Sequence, residues 1–395
     1  MNYILFDDET RLALLPFTFT RPVAEIRIGI LTIREKWEHY LSQPVSFFTE
    51  NFLSEKFALK VEEDNILING SVLPDDSLLH EIKSLKPGEK ISGDGYLIAW
   101  RVSGDELKEI KSLHNSDLAA AKKQLPAFKI SYGWDIFSMN EKAIQADYDL
   151  VTKGKKSKPI SSTNQVIHPE NIFIEEGGKV ECSVLNATHG PIYIGKNAEV
   201  MEGSLIRGPF SLGECSWLRL GTKIYGATTI GPHCRVGGEV NNSVIFGCSN
   251  KAHDGFLGDS VIGEWCNLGA DTNNSNLKNN YSQVRIWSFR DDAFINTGLQ
   301  FCGLMMGDHS KCSINTMFNT GTVVGVSANI FGTGFPPKII PSFSWGGSEG
   351  FKTYRLQEAI EVAQRVYERR KMIFDETEQK IMRHLFEMTT KYRAW

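Results

Sequence analysis

The chain of 395 residues carries a formal net charge of −4, with 23% charged residues. Its length suits two domains with accessory segments, and its faintly acidic balance excludes a general electrostatic pull toward nucleic acid or an anionic membrane. Residues 1–6 lack the basic start of a signal peptide and no apolar run reaches transmembrane length, so a cytoplasmic protein with no membrane partner is expected.

Residues 1–151 alternate short apolar runs with helical spacing: strands at 3–6, 45–48, 66–68 and 97–100, and a helix over 30–41. This predicts an α/β layered domain, in which a ligand site forms where the first strand ends. There the chain reads Asp7-Asp8-Glu9-Thr10-Arg11-Leu12, followed by Pro16, Thr18, Arg21 and Pro22. Guanidinium pairs well with phosphate oxygens, so Arg11 and Arg21 are candidate nucleotide or phosphate contacts; the alternative is a solvated loop. Three consecutive acids repel a triphosphate unless a divalent metal lies between them. Asp75 and Asp76, after Pro74, read as a turn and helix N-cap; a resemblance of this region to sugar-1-phosphate nucleotidyltransferases would instead make Asp75 or Asp76 a metal-holding aspartate, and no full metal ligand set is assigned. Residues 152–165, with four lysines among Gly, Ser and Pro, read as a linker.

Residues 166–345 carry a repeat of six. An aliphatic residue recurs at Ile194, Val200, Ile206, Leu212, Leu218, Ile224, Ile230 and Val236, with glycine following at Gly195, Gly213, Gly231 and Gly237. This period fits neither an amphipathic helix nor an ordinary half-buried strand and is the signature of a parallel β-helix, three units closing a coil of about eighteen residues. The aliphatic side chain points inward, and the glycine is expected to turn the corner with a positive φ. The register breaks after Val236, where Asn242 and Cys248 fall on the count, which predicts a loop thrown out from the coil. It resumes at Ile262 and Leu268, and a third run holds Met306, Cys312, Phe318, Val324 and Ile330. The seven cysteines all follow residue 181 with no zinc spacing, and read as reduced, small buried side chains.

Two stretches carry a family resemblance. Thr10-Arg11-Leu12, Pro16, Thr18 and Pro22 resemble the first motif of sugar-1-phosphate nucleotidyltransferases, with Asp7, Asp8 and Glu9 where that motif has glycine. His253-Asp254-Gly255-Phe256-Leu257-Gly258-Asp259, Ile262-Gly263, Asn267-Leu268-Gly269-Ala270-Asp271-Thr272 and Asn276 resemble the acetyltransferase half of the bifunctional N-acetylglucosamine-1-phosphate uridylyltransferase/glucosamine-1-phosphate acetyltransferase family. The resemblance implies a Rossmann-like nucleotidyltransferase domain followed by a left-handed parallel β-helix of hexapeptide repeats. It implies acetyl transfer from acetyl-CoA to an amino-sugar phosphate, and nucleotidyl transfer from UTP or another NTP to a sugar-1-phosphate with Mg2+.

By the same resemblance His253 is the catalytic base, Lys223, Asn267, Asn276 and Phe256 bind substrate, and Gly321, Val324 and Ala328 line an acetyl-CoA groove. A homotrimer with sites between neighbouring β-helices is also implied. The family's second lysine position holds Asn241 and its following tyrosine Leu277, which leaves the acceptor sugar open. The chemistry is consistent on its own terms, since a histidine titrating near neutrality can take the proton an amine loses as it is acylated. His253 as a surface histidine, the asparagines as turn residues and the glycines as plain turn glycines remain the alternatives. So do a nucleotidyltransferase with a merely regulatory or oligomerising β-helix, and a non-catalytic assembly protein.

Residues 346–395 close the chain. Leu356, Ile360, Ala363, Tyr367, Phe374, Ile381 and Met388 follow a three-four spacing that predicts one long amphipathic C-terminal α-helix.

Overall fold

The computed structural model describes residues 1–110 and 123–395. They form two compact units, Met1–Ile26 with Leu31–Tyr132, and Arg27–Ile30 with Gly133–Trp395.

The first unit is built on a six-stranded mixed sheet of β1 (Asn2–Phe6), β2 (Ser46–Phe48), β3 (Asp64–Asn69), β4 (Lys90–Ser92), β5 (Leu97–Ser103) and β6 (Lys123–Gln124), in the order β2-β1-β3-β5-β4-β6. β2 and β3 run parallel to β1 on either side of it, whereas β5 is antiparallel to β3. Among the described residues, the α-helices that accompany the sheet are α1 (Thr10–Ala13), α2 (Ile33–Leu41), α3 (Asp76–Lys83) and α4 (Gly104–Glu109). Thr32 and Glu35 form a capping box that starts α2. Asp75 caps α3 by accepting from the Leu78 N–H at 2.8 Å, so the turn-and-cap reading of that stretch holds. Because the chain leaves β1 for β2 on one side and β3 lies on the other, the carboxyl ends of β1 and β3 form the crevice where open α/β sheets bind ligands.

The second unit starts with α5 (Asp135–Ser138) and α6 (Asn140–Thr152) and continues as a left-handed parallel β-helix. Its three faces are a nine-stranded sheet, a ten-stranded sheet and a six-stranded sheet that two further short strands extend. All eight residues of the six-residue repeat face inward and are at most 2% exposed. Each third one stacks on the same face, as Ile194 pairs in register with Leu212, and Val200 with Leu218.

The corners differ from expectation. Gly195, Gly213 and Gly231 do not have positive φ; the left-handed residues lie two positions later, at Asn197, Cys215 and His233, and the column continues through Cys248, Trp265, His309, Ser327 and Phe343. The glycines serve close stacking of coils instead. A Cβ on Gly213 would sit 2.6 Å from the Gly231 carbonyl carbon. The expected loop after Val236 is also absent: the coil merely shortens, with Val240, Ile245 and Lys251 facing inward, and Asn242 and Cys248 are corner residues of positive φ. The chain leaves the coil later, through an antiparallel hairpin of Arg285–Ser288 and Ala293–Asn296. The predicted single C-terminal helix is two, α7 (Leu356–Arg369) and α8 (Glu376–Met388), because the chain turns at Lys371 with φ 58°. α7 is seated by Tyr367, whose ring stacks on the corner residue Trp265 with centroids 3.9 Å apart. None of the seven cysteines is in a disulfide.

Lys251 occupies an inward position paired with Val236, is 2% exposed, and donates through Nζ to the carbonyls of Gly237, His253 and Asp254 at 3.0, 2.9 and 3.4 Å. Burial pushes its pKa down to about 8 from an ordinary 10.5, and burial does the same to Lys311. Between those values the native state has released protons that the unfolded chain retains, so stability rises with pH. Above about 9 the buried thiols of Cys234 and Cys302, pushed up to about 12 by burial, act in the opposite sense. The urea midpoint is therefore expected to rise between about pH 7.5 and 8.8, and Lys251→Met to diminish that rise. An equal rise in the variant contradicts the assignment.

Candidate functional site

At the end of β1 the acidic residues turn inward. Asp7 accepts from Thr49 Oγ1 at 2.6 Å, from the Val23 N–H at 2.8 Å and from Arg11 Nη1 at 3.3 Å. Asp8 accepts from the Thr10 N–H at 2.9 Å and from Asn69 Nδ2 at 2.8 Å, and Asn69 in turn accepts from Ser71. Arg11 also donates to the carbonyls of Thr18 and Arg21. Burial works against both charges of the Asp7–Arg11 pair, pushing the carboxyl up and the guanidinium down, and the attraction between them offsets only part of it. Arg21 is buried beside this network. Lys129 reaches the same crevice, donating to Thr10 Oγ1 at 2.8 Å with its ammonium 3.8 Å from Asp8 and 4.3 Å from the Tyr96 ring centroid. Both oxygens of Asp7 and of Asp8 are engaged, and among the described residues no group of three or more His, Cys, Asp or Glu could hold a metal ion. The residues present do not fit the expected Mg2+.

A cavity of about 790 Å³ lies on the β-helix. Its floor is the outward column of the ten-stranded face, Trp217, Arg235, Asn250, Asn267 and Lys311, each immediately preceding an inward residue and paired coil to coil. Arg219 and His253 line its edge, and Val366, Arg369 and Arg370 of α7 and its cap form the opposite wall. His253 is exposed and borders a second cavity of about 350 Å³ at the corner with Gly238 and Asp271. The residue stands where the ten-stranded and six-stranded faces meet.

The other sequence-derived residues divide between places. Asn267 is exposed on the floor of the larger cavity. Lys223 and Phe256 lie on the six-stranded face, in one outward column with Glu239 between them. Asn276 donates to Asp259 Oδ2 at 2.6 Å, and Asn242 donates to the other oxygen at 2.7 Å. Gly321 has φ 65° and sits under the base of the hairpin, where a Cβ would be 2.6 Å from the Arg285 carbonyl. Val324 and Ala328 are at most 1% exposed, with side chains in the coil interior. Sequence reasoning missed Arg219, Arg235, Lys311, Arg369 and Arg370. For Arg235 and Lys311 a signal existed: both occupy the position just before an inward residue on every third repeat, the column that also holds Trp217 and Asn267.

No helix among the described residues is long and apolar enough to cross a membrane. No curated protein matches the chain. Among solved structures, it is similar to a UDP-N-acetylglucosamine acyltransferase of Arabidopsis, at 14% identity over 60% of this chain and 94% of that one, TM-score 0.26. It is similar to the polysialic-acid-specific acetyltransferase NeuO, at 14% identity over 53% and 99%, TM-score 0.27. A UDP-N-acetylglucosamine acyltransferase of Francisella novicida gives 12% identity over 59% and 90%, TM-score 0.21. Identities and TM-scores this low say nothing of substrate. Residues 3–156 match the family model described as sugar nucleotidyl transferase, so the segment holding the β1–β3 crevice is similar to that family.

Proposed function

We propose that the chain is a sugar-nucleotide biosynthesis enzyme with two transfer activities. The β-helix moves an acetyl group from acetyl-CoA to the amino group of a glucosamine-1-phosphate-like sugar. The amino-terminal region transfers a nucleotidyl group from UTP or another NTP to a sugar-1-phosphate. What carries the first reading is His253, whose exposed imidazole stands at the lip of the β-helix cavity with Asn267 on the floor beside it. The amine nitrogen attacks the thioester carbonyl carbon; the C–N bond forms, the C–S bond breaks, His253 takes the proton from nitrogen, and a proton returns to the leaving sulfur. Asn267 and Asn276 hold sugar hydroxyls, Lys223 a phosphate, and Phe256 a ring face.

Since Lys223, Phe256 and Asn276 belong to the neighbouring face, the complete acceptor site is assigned to the meeting of two copies in a homotrimer. Gly321, Val324 and Ala328 contact acetyl-CoA through backbone, because the last two side chains are inside the coil. The nucleotidyl reading rests on the match of residues 3–156, and its phosphate contacts fall to Arg21, with Arg11 committed to internal acceptors. The test is chemical. Free thiol from acetyl-CoA is expected only when an amino-sugar phosphate is present, and pyrophosphate only when NTP meets a sugar-1-phosphate. Thiol formation with no acceptor in a broad panel removes the first reading, and absence of pyrophosphate removes the second.

A further inference from the structure

The cavity under α7 holds more positive charge than its surroundings account for. Arg219, Arg235, Lys311, Arg369 and Arg370 all line it, and no carboxylate does. None of the five makes an ion pair among the described residues. The polar contacts made by Arg235, Lys311 and Arg370 are to neutral acceptors, backbone carbonyls and, for Arg370, also Asn250 Oδ1 at 3.5 Å. Arg235 Nη1 donates to Cys215 and Cys234 at 2.8 Å each while its guanidinium lies 3.7 Å over the Trp217 ring centroid. Arg370 donates to the carbonyls of His233 at 2.5 Å and Cys248 at 3.3 Å, and Lys311 to that of His309 at 2.8 Å.

Such contacts fix direction without neutralising charge. Like charges so held repel one another: after burial, Arg370 is the largest influence lowering the Arg235 pKa, and it lowers His233 as well. In a chain whose net charge is −4, a fold that gathers five cations and excludes acids from one cavity has left the counter-charge to a ligand.

We propose that this cavity binds a phosphoryl-bearing ligand with at least two negative charges, a pyrophosphate or phosphate ester, clamped between the ten-stranded face and the Arg369–Arg370 end of α7. Guanidinium forks and a lysine point charge suit phosphate oxygens, and five cations exceed what a lone carboxylate would call for. The volume is that of a site for a nucleotide-sized molecule. The inference concerns charge and class of ligand, and stands whether or not the acetyl transfer proposed above takes place.

Inorganic pyrophosphate is the probe, titrated into the full-length protein by calorimetry at low and high salt. Saturable binding that weakens with salt is expected. Arg219→Ala and Arg369→Ala each remove a cation that makes no side-chain hydrogen bond or ion pair among the described residues, so both variants should remain folded and bind pyrophosphate about tenfold or more weakly, the size of one lost charge-assisted contact. Lys179→Ala, on the same ten-stranded face but outside the cavity, should bind as the native protein does. Displacement of pyrophosphate by coenzyme A but not by pantetheine names the coenzyme's phosphates as the source of the ligand, and displacement by glucosamine-1-phosphate names the sugar's. Absence of saturable binding, or equal binding by folded Arg219→Ala and Arg369→Ala, overturns the proposal. Pyrophosphate binding without thiol release leaves it standing and removes only the acetyl-transfer reading.

Discussion

Gly231→Ala is expected to destabilise the β-helix by more than about 4 kcal/mol, enough to abolish a soluble folded product in many backgrounds. The added Cβ would lie 1.6 Å from the Phe246 carbonyl oxygen and 2.5 Å from its carbon, both backbone atoms of the next coil. Relief by a rotamer change is not available. The Gly231 N–H also donates to the Ile245 carbonyl at 2.7 Å, so parting the two coils breaks the ladder that joins them. Gly221→Ala is the control: its φ is 68° but nothing stands within 4 Å of the new Cβ. There the cost is the left-handed backbone alone, about 1–2 kcal/mol. Urea unfolding of both variants measures the contrast, and a Gly231→Ala protein as stable as Gly221→Ala means the coils are spaced otherwise than described.

Arg11→Ala is expected to destabilise the first unit by about 3–5 kcal/mol, the usual result of removing one partner from a buried ion pair. The side chains of Arg11 and Asp7 are 6% and 7% exposed. Losing the guanidinium strands the Asp7 carboxylate, and it leaves the carbonyls of Thr18 and Arg21 without that donor. Asp7→Asn in the same background removes the stranded charge and should recover part of the loss, because much of the penalty is the unpaired ion. Hydrogen exchange of the paired β1 and β3 amides, which belong to this unit, reports the change. No recovery in the double variant means Asp7 is not ionised there.

The β-helix was legible because a period of six has one physical meaning, and each residue of the first run is inward. Where the period failed, counting by six could not tell a shortened coil from a loop: Lys251 is an inward residue that no aliphatic search finds, and its ammonium is tolerated only because three carbonyls surround it. Glycine after the aliphatic residue suggested corners, but coil-to-coil contact, invisible in one dimension, is what demands it. The C-terminal stripe continued across Lys371 because hydrophobic spacing carries no information about a single left-handed φ. At the candidate site, His253 and Asn267 were found by motif and line one cavity. The cation cluster was not found, since Arg369 and Arg370 come from the far end of the chain, and Arg219, Arg235 and Lys311 look like ordinary surface charges until the faces are known. At the end of β1, Arg11 was legible as an unusual residue, but its burial against Asp7 was not.

In the function proposed here the β-helix transfers acetyl groups with His253 as base. Thiol release from acetyl-CoA, with and without an amino-sugar phosphate, by the native protein and by a folded His253→Ala variant, tests it most directly. Acceptor-dependent release is expected, falling by about a hundredfold or more in the variant, the loss typical of a general base. Release unchanged by the substitution, or no release with any amino-sugar phosphate, contradicts it.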